Sequence, residues 1–479
     1  MLVLAGLLCV SCAGERPARA PRPWNVLLIT LDTCRSDVLG CYRGRFAAVT
    51  PAVDSLAAKG VLFERAYCQA PSTLPSHASI LTGFSPLTHG INDNGVYFLG
   101  PEFETLAETL KEHGYQTAAF VSAYVLDDRY GLAQGFDVYD DEMEDPLRPG
   151  EAPSFPEGTD PQIAWWVSRF FQPYQRTADR VGARAIDWLR TAGSAPFFLW
   201  AHFFDPHQPY TPPEAWLDRY AEGYDGFANG SGPEFLAAMR AAKADRGDLY
   251  HMWARYSAEV AFADYWVGRL LEVLDESDLW ENTIVVLVGD HGEGFGEHGL
   301  FFEHNSLLYE ELVRVPLLVH VPGNGSAGRR VAAAVRTIDI FPTILSSVGI
   351  APSDSLEGRS LIELMHGREE AERCSYFQAL CGRQALPARE ELRGLQAGRW
   401  KLIRTTSHAD GESTTELYDL ANDPDERNDL ASSVDSVMQQ LDERLRDLVE
   451  SAAGSGDTDH SLQLDEESRE RLRSLGYIR

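Results

Sequence analysis

An aspartate and a histidine stand side by side at Asp290 and His291, after the apolar run Val285-Val286-Leu287-Val288-Gly289 and before Gly292-Glu293. A carboxylate and an imidazole in adjacent positions can close on one divalent cation from two directions. Far away in sequence, Asp32 follows a second apolar run, Trp24 to Leu31, and His207 follows a third, Pro196 to Phe204. His207 lies in Asp205-Pro206-His207-Gln208-Pro209. Two prolines stiffen that loop, which suits a group that must meet a reacting atom in one orientation. A single Asp after a strand is commonly a turn or cap residue. The shared placement of Asp32, His207 and Asp290 at the ends of apolar runs is what assigns them to one cleft. His202, inside its run, reads as a hydrogen-bonded core residue, and His298, in Gly296-Glu297-His298-Gly299, as a structural loop residue.

Continuous apolar runs of this length belong to strands covered on both faces. Further strands are expected at Val61–Tyr67, Thr117–Ser122 and Val315–Val321, alternating with helices. Thr50-Pro51 opens a short helix that stops at Gly60, with proline in the first turn and glycine past the end. Helices are also expected at Leu74–Thr82, Phe103–His113, Thr177–Thr191, Tyr250–Leu274 and Thr337–Val348. The alternation predicts an α/β fold, a large, mostly parallel sheet sandwiched by helices. In such sheets ligands bind outside the carboxyl ends of the strands. The stretches 140–175 and 210–247, rich in Gly, Pro and polar residues, read as surface insertions rimming the cleft and as the source of substrate specificity.

After about residue 375 the pattern changes. Gly394–Ile403 and Glu416–Leu420 look like antiparallel strands joined by a polar turn, and Asp435–Val449 like an amphipathic helix. The expected organisation is a leader over 1–22, a catalytic domain over 23–375 and a small C-terminal α+β subdomain over 376–479.

The stretch Ser72-Thr73-Leu74-Pro75-Ser76-His77, running on to Leu81-Thr82-Gly83, resembles the sulfatase signature, Cys or Ser-x-Pro-Ser-Arg followed by Leu-Thr-Gly. The resemblance extends to Asp290-His291-Gly292, to the Pro-His-x-Pro element around His207 and to Glu416-Leu417-Tyr418-Asp419-Leu420. It implies a sulfatase-like fold of the alkaline phosphatase superfamily. It implies that a divalent metal (calcium, magnesium, manganese or zinc) is bound by Asp32, Asp290, His291 and the Thr73 oxygen. Catalytic roles fall on Thr73, His77, His207 and His304, and a substrate contact on Asn94, 21 residues beyond Thr73.

Two departures matter. Thr73 stands where the family oxidises Cys or Ser to formylglycine, and Thr33 stands where a second metal-binding Asp is usual. Threonine cannot become formylglycine, so the implied nucleophile is an unmodified hydroxyl. Formylglycine hydrate expels sulfate by collapsing to an aldehyde, whereas a threonine ester must be attacked at its central atom, which phosphorus tolerates better than sulfur. The expectation is therefore a metal-dependent hydrolase of sulfate or phosphate-type esters working through a covalent Thr73 intermediate. The alternatives are a phosphoethanolamine-type transferase and a catalytically retired metal-binding homologue.

The charge balance, 42 basic against 72 acidic residues for a net −30, excludes nucleic acid as a partner, because phosphate backbones need clustered Lys and Arg. A small-molecule, glycan or lipid ester is expected instead. Met1–Gly14 is apolar, too short to span a bilayer, and resembles a secretory leader, so an exported protein, periplasmic or at the cell surface, is expected. Cys12 resembles a lipoprotein acylation site, which would anchor the chain to a membrane. Of the seven cysteines, Cys34, Cys41 and Cys68 read as buried thiols, and Cys374 and Cys381 are near enough in sequence for a local disulfide.

Overall fold

The apolar runs become the middle of an eight-stranded sheet. Strand β1 (Asn25–Leu31) lies between β5 (Phe197–Phe203) and β6 (Thr283–Gly289), parallel to both. Alternate residues serve opposite faces. Val26, Leu28, Phe198, Trp200, Val286 and Val288 enter one core, while Leu27, Ile29, Leu199, Ala201, Val285 and Leu287 enter the other. Burial on both faces is why these strands carry no polar alternation.

The computed structural model describes residues 23–44, 47–143, 176–221, 223, 246–381 and 390–453, with 461–462, 465–466, 468–469 and 472 beyond them. The expected leader, with Cys9 and Cys12, lies outside the described residues, as do 144–175 and 224–245 of the two insertions. No described helix is long and apolar enough to cross a membrane.

The strand order is β4-β3-β5-β1-β6-β7-β2-β8, with β2 at Val61–Tyr67, β3 at Gln116–Phe120, β4 at Val138–Asp140, β7 at Arg314–His320 and β8 at Arg329–Arg336. Strand β7 runs against both β6 and β2, so the sheet is mixed but mostly parallel. The two edge strands have no apolar run to reveal them: β4 has three residues, and β8 is arginine-rich with an exposed side. Helix α1 (Pro51–Lys59) and the long helix Arg246–Glu276 cover one face, and helix α2 (Thr73–Thr82), buried throughout, lies on the other.

A four-stranded antiparallel sheet follows in the order β12-β11-β10-β9, formed by Ser413–Asp419, Trp400–Ser407, Glu390–Ala397 and Ser375–Cys381. The helix Asp435–Ala453 packs Leu441 and Leu445 onto Tyr376, Leu395, Leu402 and Leu417. Here two expectations are corrected. The run Gly394–Ile403 is not one strand but a hairpin: Ala397 pairs with Trp400 across Gly398-Arg399, and Gly398 has φ +62°, the left-handed conformation such a two-residue loop takes from glycine. The Cys374–Cys381 disulfide does not form. Cys374 is a free thiol, and extended strand β9 separates the two positions by roughly 20 Å, against the roughly 4–7 Å a disulfide spans. Cys34 and Cys68 are buried free thiols as expected, and Cys41 is half-buried.

Candidate active site

The register of the central strands sets the site. Leu31 lies level with Phe203 on one side and Gly289 on the other, so the chain leaves all three strands at one point. Asp32 N–H donates to Phe203 O (2.9 Å) and Asp290 N–H to Leu31 O (3.3 Å), continuing the ladder one step into the loops. This brings together Asp32 and Asp290, 258 positions apart in sequence, and His291 with them.

His291 Nε2 lies 3.6 Å from Asp32 Oδ1, 3.4 Å from Asp290 Oδ2 and 3.4 Å from Thr73 Oγ1. Its Nδ1–H donates to Gly292 O at 3.0 Å, which leaves the Nε2 lone pair facing the carboxylates. Asp290 Oδ1 accepts from the amides of Thr33 (3.1 Å) and His291 (2.7 Å). Both oxygens of Asp32 and Oδ2 of Asp290 are buried without a hydrogen-bond partner. Orphaned buried carboxylate oxygens are costly unless a cation completes them. The donor set, two carboxylates, one imidazole and a hydroxyl, fits a divalent metal.

The electrostatics agree. Burial pushes the Asp32 carboxyl up to about 8, with Glu293 adding to the rise and His304 opposing it. Burial, then the neighbouring Asp32, holds Asp290 well above the carboxylate range. A group whose folded value is raised contributes stability at low pH that is lost as pH climbs through that value. For Asp32 that interval runs from 3.8 to about 8. The apparent Tm of chelated protein should therefore fall as pH rises across it. Stabilisation by added divalent cation should grow over the same interval, since the ionised carboxylates are the ligands. Thermal melts of chelated and cation-supplemented protein measure both. A chelated protein that gains stability across this interval would overturn the assignment.

Thr73 is the first residue of α2 and fully buried. Ser72 makes no side-chain cap. Asn94 replaces it: its Oδ1 accepts from Leu74 N–H at 2.8 Å, and its Nδ2 is buried without a partner. The helix start, the Thr73 hydroxyl and that free amide together favour negative charge at this point. Helix α2 is tied to the metal loop by Ser76 Oγ–H, which donates to Asp290 O at 2.7 Å.

Five histidines surround this point. The structure brings His207 and His304 into the cleft, their rings 4.9 Å apart, with His304 also 4.5 Å from His291. His207 Nδ1–H donates to Gln208 O at 2.6 Å, and its Nε2 is buried without a partner. Burial drives His77, His207 and His291 well below the usual histidine range. His304 is the exception: burial would lower it, but Glu293 and Asp32 raise it overall. His77 also borders the site, its Nδ1 3.6 Å from Asp290 Oδ2. Nδ1–H donates to Thr73 O (2.7 Å) and Nε2 accepts from Thr30 Oγ1 (3.1 Å), which makes it a brace on the Thr73 main chain. His298 stands outside the group, stacked on Tyr309 and bonded to Glu311.

Three neighbours of the site have contacts that sequence reasoning did not give. His202, read as a core residue, points Nε2 to within 3.4 Å of Asp32 Oδ2, while its Nδ1 accepts from Ser122. Its position opposite Thr30 of β1, one step before the strand ends, was the available signal. Glu293 is fully buried against His304 and Tyr210, and only its place beside His291 hinted at this. Thr33 has φ +51°, a strained conformation for a β-branched residue, held by the Asp290 contact and by Tyr256 Oη–H donating to Thr33 O at 2.8 Å.

Comparison with known proteins identifies the family. A family profile described as Sulfatase matches residues 24–350, and one described as N-sulphoglucosamine sulphohydrolase, C-terminal, matches 296–451. An arylsulfatase of Clostridium perfringens is 31% identical over 72% of this chain and 79% of its own length. Arylsulfatase K of Mus musculus is 27% identical over 92% and 84%. Among solved structures, the phosphonate monoester hydrolase of Agrobacterium radiobacter superposes with a TM-score of 0.68 at 23% identity, covering 90% of this chain and 96% of that one. The chain belongs to the sulfatase family and is, with it, a sulfuric ester hydrolase.

Proposed function

We propose that this chain is a divalent-metal-dependent hydrolase of small-molecule or glycan esters of sulfate or phosphate type, with Thr73 Oγ1 as nucleophile. The observation that carries the reading is the Thr73 hydroxyl, buried at the start of α2 and 3.4 Å from His291 Nε2, beside three carboxylate oxygens, both of Asp32 and Oδ2 of Asp290, that no hydrogen bond satisfies among the described residues. A cation held by Asp32, Asp290 and His291 would lower the cost of the Thr73 alkoxide and polarise the ester.

The chain's own groups do the rest. His77 and Asn94 hold the start of α2, and with it the Thr73 backbone, from two sides. The Asn94 amide and the helix start receive charge that develops on the ester's oxygens. His304, the imidazole whose neighbours raise it, can give a proton to the departing alcohol, with His207 beside it. The covalent Thr73 ester is then cleaved by water attacking its central atom. That step is easier at phosphorus than at sulfur, so the phosphate-type ester is the favoured substrate. The named activity of the arylsulfatase relatives supports the sulfate arm.

The test is hydrolysis of matched aryl sulfate, phosphate monoester and phosphodiester substrates by chelated protein with each metal added back. Metal-dependent turnover, fastest on a phosphate-type ester, is expected. Faster sulfate release would reverse the phosphate preference. No turnover on any ester by metal-loaded protein would sink the hydrolase reading.

A further inference from the structure

Glu293 is fully buried, and both its carboxylate oxygens are engaged. Oε1 accepts from Gly294 N–H at 3.3 Å and lies 3.4 Å from His304 Nδ1, and Oε2 accepts from the Tyr210 hydroxyl at 3.0 Å. Its main-chain carbonyl accepts from Arg35 Nη1 at 3.0 Å. One side chain thus joins three loops: the one that follows β6 and carries Asp290 and His291, the one that carries His304, and the one that runs from His207 to Tyr210. A carboxylate can only accept, so it holds one proton of His304 on Nδ1 and turns Nε2 to the cleft, where the protonated ring carries its second proton, the one given to the leaving oxygen. The His304 ring sits 4.5 Å from that of His291 and 4.9 Å from that of His207, so the position of that nitrogen is set among the groups around Thr73.

We propose that Glu293 is the positioning residue of this cleft, aiming His304 at the ester oxygen and, through Tyr210, fixing the His207 loop at the same point. The inference rests on the hydrolase reading above and adds to it a group that touches neither metal nor substrate. The carboxylate–imidazole pair orients an imidazole by the same logic by which outer carboxylates orient metal-bound histidines.

The experiment compares wild type with E293Q, Y210F, H304A and the double variant E293Q/H304A, all metal-loaded, on 4-nitrophenyl and phenyl esters of the preferred class. Glutamine keeps the shape of Glu293 and removes its charge. H304A should lower kcat about 10²-fold, and E293Q about 10-fold, with KM unchanged and the larger loss on the phenyl ester, whose leaving group needs the proton more. The double variant should be slower than H304A alone by no more than the Y210F loss, because the His304 share of the E293Q effect is already gone and only the Tyr210 share remains. Y210F should cost less than E293Q. A merely structural Glu293 would instead lower Tm and slow both esters alike. Losses that multiply in the double variant, equal losses on both esters, or an E293Q with full kcat would overturn the proposal. An H304A with full kcat would overturn it too. In that case continued dependence on Thr73 would show that the hydrolase reading stands without it. If E293Q does not fold, 15N shifts of the wild-type histidines decide: a neutral His304 in the Nε2–H form would refute the assignment.

Discussion

Thr73→Ala is expected to lower kcat by at least about 10³-fold with little change in fold, because what remains after loss of a nucleophile is binding and charge stabilisation alone. The Thr73 hydroxyl contacts His291 Nε2 at 3.4 Å, while the helix start is held by main-chain groups, Leu74 N–H on Asn94 and Thr73 O on His77. Removing the hydroxyl therefore takes away the attacking atom and leaves the scaffold. The Tm of chelated protein should stay near wild type, while cation affinity should weaken, since the hydroxyl is one of the four donors. Thr73→Ser, which keeps the oxygen, should stay within about tenfold of wild type. The covalent step is checked separately: acid-quenched wild type should carry the phosphoryl or sulfuryl group on the peptide containing Thr73, by mass spectrometry, and Thr73→Ala should not. A Thr73→Ala protein that turns over at the wild-type rate would assign the nucleophile elsewhere, to a metal-activated water.

The second large effect is on stability, at Lys401. This lysine on β11 is fully buried, with Nζ 3.1 Å from Glu310 Oε1 and 2.9 Å from Glu426 Oε1. Burial would lower its ammonium, but the two carboxylates raise it overall. Glu310 also accepts from the Tyr67 hydroxyl at 3.2 Å, and its amide donates to Glu426 Oε2 at 2.6 Å. The cluster bolts the small sheet to β2 and to the segment that leads from His304 into β7. Removing one partner from a buried ion cluster leaves the others charged and unpaired, so Lys401→Ala should cost about 3–5 kcal/mol. Part of this should return when Glu310→Gln and Glu426→Gln are added, since an uncharged buried triad has no unpaired charge to hide. Denaturant unfolding of the single and triple variants measures this. A Lys401→Ala protein as stable as wild type would show that the cluster is solvated and carries no such weight.

Most of the sheet was legible because its central strands are buried on both faces, and such strands declare themselves as unbroken apolar runs. That pattern placed β1, β5, β6 and β7 within a residue or two, and with them the loops holding Asp32, His207 and Asp290. The edge strands β4 and β8 stayed hidden because a half-exposed edge has no such run. The hairpin at Gly398-Arg399 was missed because a two-residue reversal breaks the residue pattern too briefly to read.

Residue types and local spacing by themselves determined the parts of the site whose chemistry is intrinsic: carboxylates and an imidazole able to hold a cation, a hydroxyl that cannot become formylglycine, and a stiff histidine loop. Only the tertiary structure decided how the histidines divide their labour. His77 and His202 are the same residue type as His207 and His304. Which nitrogen is spent on a backbone carbonyl, on Ser122 or on Glu293 depends on chain segments brought together across the sheet. A role that consists of a direction and a partner is a property of packing, and no local stretch of sequence contains it.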